Sequence, residues 1–278
     1  MSLFVASINS GSNGNCYYIG NEEDAVLIDA GISCREIEIR MKSLGLNMDL
    51  VRAVFISHEH SDHIKGLAVL SRKHKLPVYI NEATRREARL KLDRSLVVDF
   101  EHEKPIKVGS LSVTPFSKHH DAVDPYSFTI SYQKTNVGVF TDIGTACKDL
   151  AKHFRKCHAA FLESNYDEEM LENGNYPFIL KRRIRGGKGH LSNREALELF
   201  LAHKPAHMTH LFLSHLSKNN NKPELVEQLF NLHAGSVQII VTSRYTASAL
   251  YKIGDELKNS TAPKKIKKII TQLKLQFG

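Results

Sequence analysis

His58-Glu59-His60-Ser61-Asp62-His63 sets three imidazoles and two carboxylates within six residues, directly after the apolar, β-branched run of residues 51–56. Side chains this dense crowd one another unless they share a partner. Neutral imidazole nitrogens and carboxylate oxygens are the donors that Zn²⁺, Mn²⁺ and Fe²⁺ accept, so a pair of metal ions is the partner that fits. The alternative is a solvated polar loop rich in histidine. A strand before the cluster and a helix after it, with Ile64, Leu67, Ala68 and Ser71 on one face, put the donors at the carboxyl end of a strand. Asp62 is also placed to cap that helix.

Working outward, residues 4–8, 16–19 and 25–28 read as short strands. The turn Gly11-Ser12-Asn13-Gly14-Asn15 between the first two is either a hairpin connection or a phosphate-binding loop of backbone N–H groups and small hydroxyls. Asp29-Ala30-Gly31 closes the third strand, and Ser33 opens a helix to about Leu44. Downstream, a strand is expected at residues 77–80, a charged helix at 82–92, and strands at 95–100, 111–116, 126–132 and 137–140. Two polar punctuations follow strands as the first cluster did: Lys118-His119-His120-Asp121 and Thr141-Asp142-Ile143-Gly144.

The second half alternates helix and strand. Residues 150–154 fit a helix; residues 159–162 form a strand ending in Glu163-Ser164-Asn165. Lys181, Arg182, Arg183, Arg185 and Lys188 make a cationic run, either a solvated face or a nucleic-acid contact. Ser192 and Glu195 fit a capping box, which sets His190 just ahead of a helix N-terminus, where anions are attracted. Residues 211–213 form a strand exiting into Ser214-His215-Leu216-Ser217, Pro223 suits a helix start, and residues 237–242 form a late strand.

Taken together, the strand exits supply two donor sets. His58, His60 and one histidine of the 119–120 pair would hold one metal; Asp62, His63 and His215 would hold the second, with Asp142 bridging. Two cations about 3.5–4 Å apart lower the pKa of water from 15.7 toward ~7 and stabilise a leaving oxygen. General-base catalysis alone gives about 10²–10⁴-fold, too little for phosphodiester hydrolysis.

These residues, in this order, resemble the metallo-β-lactamase-fold hydrolases. Gly189-His190-Leu191-Ser192 and Leu213-Ser214-His215-Leu216-Ser217 resemble the nucleic-acid-cleaving branch that includes tRNase Z. The phrases at Gly11 to Asn15, His120-Asp121-Ala122, Glu163-Ser164-Asn165 and His215-Leu216-Ser217 are most similar to the YycJ/WalJ family, bacterial 5′→3′ DNA exonucleases. The resemblance spans residues 4–242. It implies a four-layer αββα sandwich (α/β class) with a dimetal site at one edge of its sheets. By the match, His58, His60 and His120 take the first metal, Asp62, His63 and His215 the second, and Asp142 bridges. Asp29 orients ligands without binding metal. His190 donates a proton to the leaving oxygen beside the hydroxide that the metals activate, unless it merely decorates a helix cap. About twenty residues separate His120 from Asp142, too few for the tRNA-gripping arm of tRNase Z. Asp142 to His215 is likewise too short for the extra domain of RNase J.

The expected reading is a metal-dependent phosphodiesterase, a 5′→3′ DNA exonuclease with two divalent ions (Zn or Mn, with Fe possible). Its substrate is nucleic acid, DNA before RNA. Phosphate contacts are assigned to Ser12, Asn13, Ser164, Asn165, Arg182, Arg183, Arg185, Ser192 and Ser217. A small-molecule hydrolase acting on a thioester, lactone or cyclic nucleotide, and a non-catalytic metal-stabilised module, are the competing classes. The net charge of +8 points weakly toward a polyanion. Four scattered cysteines without a C-x-x-C pair suit a reducing cytoplasm. Neither a signal peptide nor a membrane-spanning run is visible. Residues 1–243 are expected to form the hydrolase domain. Residues 244–278 form a basic extension, with a docked amphipathic helix over 263–278 preferred to a nucleic-acid or membrane-surface tail.

Overall fold

A computed structural model describes residues 2–254. The first sheet holds β1 (Ser2–Asn9), β2 (Cys16–Gly20), β3 (Ala25–Ile28), β4 (Val51–Phe55), β5 (Val78–Tyr79) and β6 (Val97–Val98), with β14 (Tyr251–Gly254) on the outer side of β1. The second holds β7 (Ile106–Val108), β8 (Leu111–Ser117), β9 (Tyr126–Tyr132), β10 (Thr135–Phe140), β11 (Ala159–Glu163), β12 (His210–Ser214) and β13 (Gln238–Val241), in sequence order across the sheet. Helices α1 (Cys34–Ser43), α2 (Ser61–Ile64), α3 (Leu67–His74) and α4 (Glu82–Ala88) belong to the first half; α5 (Lys148–Phe154), α6 (Glu168–Asn173), α7 (Phe178–Ile184), α8 (Asn193–His203) and α9 (Pro223–Asn231) belong to the second.

Side-chain alternation along each strand divides the apolar residues among three cores. Phe161 and Phe212 face inward and meet Tyr17, Phe55 and Phe128 between the sheets. Their neighbours Leu162, Leu211 and Leu213 face outward against Phe154 of α5, Phe200 of α8 and Phe230 of α9. On the far side, Leu27 and Val54 pack against Ile37 and Met41 of α1 and Leu67 and Leu70 of α3. Helix, sheet, sheet, helix is the four-layer αββα sandwich expected from the sequence.

Strand direction gathers the polar exits at one edge. β3 and β4 run parallel in the first sheet; β10, β11 and β12 run parallel in the second, and β8 shares their direction because both β8 and β10 are antiparallel to β9.

Local corrections follow from packing. Asp62 does not cap the helix after the first cluster: His60 holds that position without a side-chain bond, and Asp62 lies inside α2. The helix expected to reach residue 92 stops at Ala88, where Arg89 turns left-handed. The strand expected at 95–100 shrinks to β6 after a 3₁₀ turn over Arg94–Leu96. The cationic run is split: Lys181, Arg182 and Arg183 form the last turn of α7, while Arg185 caps it and Lys188 lies in the turn that follows. The Ser192 capping box is present. Beyond Ser243 the chain stays with the fold, because Tyr251–Gly254 pairs antiparallel with β1. The helix expected at residues 263–278 lies outside the described residues.

Candidate metal centre

Each strand exit delivers a side chain to one point. His58 and His63 come from the β4 exit, His120 follows β8, Asp142 follows β10 and His215 follows β12. Ligating atoms of His58, His60 and His120 lie within 4.8 Å of one another, as do those of Asp62, His63 and His215, and those of His58, His63 and Asp142. The two triplets expected from the sequence are therefore both assembled. Asp142 stands between them, with Oδ2 3.2 Å from His63 Nε2 and Oδ1 3.8 Å from His120 Nε2. His119, the competing neighbour, is exposed, whereas His120 is buried.

Four imidazoles are aimed by bonds on their far nitrogens. His63 Nδ1 donates to Asp29 Oδ2 at 2.7 Å. His58 Nδ1 meets Ser57 Oγ at 2.9 Å, while that hydroxyl and the Ser57 amide both donate to Asp29. His120 Nδ1 donates to the Gly189 carbonyl at 3.0 Å, and His215 Nδ1 to Glu163 Oε1 at 2.8 Å. A carbonyl or carboxylate partner fixes the proton on Nδ1 and leaves the Nε2 lone pair facing the centre. Asp29 thus sits where an orienting carboxylate belongs, fully buried and off the donor cluster.

The backbone is bent to reach this arrangement. Asp29, Asp142 and His215 all adopt left-handed conformations, with φ of 62°, 56° and 57°. Such a conformation costs a non-glycine residue about 1–2 kcal/mol, so the surrounding strands hold it in place. Gly31 permits a second close approach: a Cβ there would lie 1.7 Å from the Asp62 carbonyl oxygen.

Whether these residues fit cations can be read from what they lack. His120 Nε2, His215 Nε2 and Asp142 Oδ2 are sealed from solvent without a hydrogen-bond partner. His58 Nε2 and His60 Nδ1 stand 3.0 Å apart, two nitrogens turned toward one point. Buried, lone-pair-bearing atoms of this kind suit divalent cations, and no thiolate is among them. The charges agree. Burial disfavours the charged form of Asp142, yet His215 and His63 beside it hold its carboxyl well below the usual range. Burial likewise opposes a charged His215, but Asp142, Asp62 and Glu163 around it push it up to about 10. Where no carboxylate dominates, burial prevails, and it lowers His58 and takes His120 down to about 4.

Three participants escaped the sequence reading. Glu163, fully buried at the end of β11, accepts from His190 Nδ1 and His215 Nδ1, both at 2.8 Å, and from the amides of Ile143 and Leu191 at 2.7 and 3.2 Å. Its sequence signal was an acidic residue at the exit of a wholly apolar strand. The Asn15 amide lies 3.3 Å from Asp62 Oδ2 and 3.1 Å from His63 Nε2. Asp121 places Oδ1 3.3 Å from His120 Nε2 and accepts Arg183 Nε through Oδ2 at 2.5 Å.

His190, 22% exposed at its side chain, stands beside the centre, its ring 5.3 Å from those of both His120 and His215. It opens into a cleft of about 190 Å³ that Ser12, Asn165, Arg183 and Ser217 also line. The other assigned phosphate contacts lie elsewhere. Ser164 is buried and donates to Asn193 Oδ1; Ser192 is buried in its helix cap and bonds Glu168. Asn13 donates to the Arg244 carbonyl. Arg185 pairs with Glu172 at 2.5 Å and lines a different groove, and Arg182 is exposed on α7 outside the cleft lining.

A family model described as a beta-lactamase superfamily domain matches residues 24–215. The chain is 35% identical over 230 residues to exodeoxyribonuclease YycJ of Bacillus anthracis, covering 81% of this chain and 86% of that one. It is 32% identical over 257 residues to exodeoxyribonuclease WalJ of Streptococcus pneumoniae, covering 88% and 96%. Among solved structures, the metallo-β-lactamase-fold protein YhfI of Bacillus subtilis superposes with a TM-score of 0.69 at 15% identity, over 88% of this chain and 99% of that one, a likeness of fold alone.

Proposed function

The chain belongs to the metallo-β-lactamase superfamily and, within it, to the YycJ/WalJ family of hydrolases; from that premise we propose a metal-dependent phosphodiesterase that trims DNA from a 5′ end. The observation carrying this reading is the His190–Glu163 pair, set beside the convergent histidines and open to a cleft walled by a cationic helix. The exodeoxyribonuclease names of two relatives favour DNA over RNA.

His58, His60 and His120 would hold one divalent ion and Asp62, His63 and His215 another, with Asp142 between them. Zn²⁺ and Mn²⁺ suit these donors, and Fe²⁺ is admissible. Bound there, the ions supply Lewis acidity toward a phosphoryl oxygen and bring water deprotonation near neutral pH. Asp62, steadied by the Asn15 amide, orients the attacking water and receives its proton at a carboxylate oxygen. His190 is held through Nδ1 by Glu163, leaving Nε2 to carry the proton that the departing oxygen takes. Arg183 and Ser217 flank the diester. Outside the cleft lining, the same helix α7 presents Phe178 and Ile179, 73% and 82% exposed, together with Lys181 and the exposed Arg182. Apolar surface next to cations suits unpaired bases and their phosphates better than a small thioester. Four free cysteines, three of them buried, agree with a reducing cytoplasm. No helix among the described residues is long and apolar enough to cross a membrane.

The test uses duplex DNA labelled at either end, with protein loaded with Mn²⁺ or Zn²⁺. The 5′ label should leave at once as a short product while the 3′-labelled strand shortens gradually. Absence of DNA cleavage with every metal, together with turnover of a chromogenic thioester or lactone, would move the chain to small-molecule hydrolysis. Arg183→Ala should flatten the salt dependence of DNA binding by a log–log slope of about 0.9.

A further inference from the structure

On the far side of Ser217 from the His190 cleft lies a second cavity of about 300 Å³, between the loop after β12 and the segment after β13. Ser217 lines both cavities, so they adjoin. The second is walled by the apolar side chains of Leu216, Pro223 and Val241, and it carries two cations, Lys218 and Arg244, without a carboxylate. Arg244 is the informative residue. Its Nη1 is sealed from solvent and meets no hydrogen-bond acceptor. Its backbone is nonetheless fixed: the Asn13 side chain donates to its carbonyl at 2.8 Å, and Ser10 donates to the preceding carbonyl, of Ser243, at 3.1 Å. A Cβ on Gly11 would come within 3.1 Å of Arg244 Cβ, so the β1–β2 turn lies directly against this residue. A guanidinium on a braced backbone, lining a cavity that also carries Lys218 and no carboxylate, is prepared for an anion.

We propose that this cavity is a nucleotide subsite, taking one nucleoside monophosphate unit of the strand next to the linkage being cut. The phosphate is held by Arg244 and Lys218, and the sugar and base lie against Leu216, Pro223 and Val241. The volume is at the lower end of ordinary ligand pockets and admits one nucleotide, not two. The subsite rests on the nuclease reading for its substrate class. It assigns the turn at Gly11 to Asn15 a task besides joining two strands, which is to brace Arg244 on one side while Ser12 faces the catalytic cleft on the other.

The experiment titrates the metal-loaded protein calorimetrically with dAMP, deoxyadenosine and inorganic phosphate. dAMP should bind at least tenfold more tightly than either fragment. Arg244→Met should weaken dAMP at least tenfold and leave deoxyadenosine unchanged. Lys218→Glu, at an exposed position, should weaken dAMP too, and it serves as the second variant if Arg244→Met does not fold. Equal dAMP affinity in wild type and both variants would overturn the subsite, placing any dAMP binding at the metal centre alone. The two readings fail separately. DNA cleavage with dAMP binding indifferent to Arg244 removes only the subsite, and Arg244-dependent dAMP binding without DNA cleavage removes only the nuclease.

Discussion

Replacing Glu163 by Gln is the sharpest perturbation available, because one buried carboxylate serves both His190 and His215. Two of its four bonds come from the amides of Ile143 and Leu191, which cannot become acceptors. The Gln carbonyl must therefore face those amides, and its NH₂ group must face the two imidazoles. Each Nδ1 is then forced to accept, and the proton moves to Nε2. On His215 this hides the lone pair that points into the centre. On His190 it removes the negative charge that supports a transferable proton. Two charge-assisted bonds at about 1.5–3 kcal/mol each amount to roughly 3–6 kcal/mol. At about 1.36 kcal/mol per tenfold in rate, the expected loss in kcat is roughly 10²–10⁴-fold if most of that energy acts in the transition state. Metal affinity, acting through His215 alone, should fall about 10–100-fold. The assay pairs a chelator-competition titration with DNA degradation at saturating metal, for Glu163→Gln and His190→Ala side by side. Glu163→Gln should lower both quantities, His190→Ala only turnover. A folded Glu163→Gln protein with wild-type metal affinity and rate would refute the reasoning.

Other expectations are briefer. Gly31→Ala drives a methyl group into the Asp62 carbonyl, so it should cost about 1–3 kcal/mol in chemical denaturation and also weaken metal binding; full stability and affinity would mean that the loop gives way freely. Adding Mn²⁺ or Zn²⁺ to chelated protein at a thousand times Kd should raise unfolding stability by about 4.1 kcal/mol, and Asp142→Asn should abolish most of that gain. Far from the centre, burial works against a charged Glu103, but Lys152 and His153 bond it and bring its carboxyl down to about 2. A depressed folded pKa gives stability that is present above the unfolded value and lost as pH falls from about 4.3 toward 2. Glu103→Gln should therefore narrow its stability gap to wild type across that window, and a gap constant from pH 7 to pH 2.5 would count against the pairing.

How much was legible in the chain depended on whether a residue announced itself locally. Asp29, the first histidine cluster, His120, Asp142 and His215 each interrupt an apolar strand with polar side chains, and strand parallelism then carries them to one edge. Glu163 ends its strand in the same way, but a single acid there looks like an ordinary terminus until its four donors are seen. Asn15 was hidden because its contacts to Asp62 and His63 lie 47 and 48 residues away in sequence. Helix α7 resisted reading because Phe178 and Ile179 are exposed, so no buried stripe marks its period. Arg185 and Ser192 were expected to contact phosphate, yet the chain directs one toward Glu172 and the other into a helix cap.

β14 carries a consequence for synthesis. β1 is the second strand of its sheet only because Tyr251–Gly254 pairs with its outer side, across nearly the whole length of the described chain. On a ribosome the first four strands emerge early, yet that flank of Ser2–Asn9 keeps open N–H and C=O groups until residue 254 has left the exit tunnel. An open flank of this kind is a template for intermolecular pairing. Chains stopped near residue 245 would therefore retain every donor of the metal centre and still be prone to associate through their oldest strand.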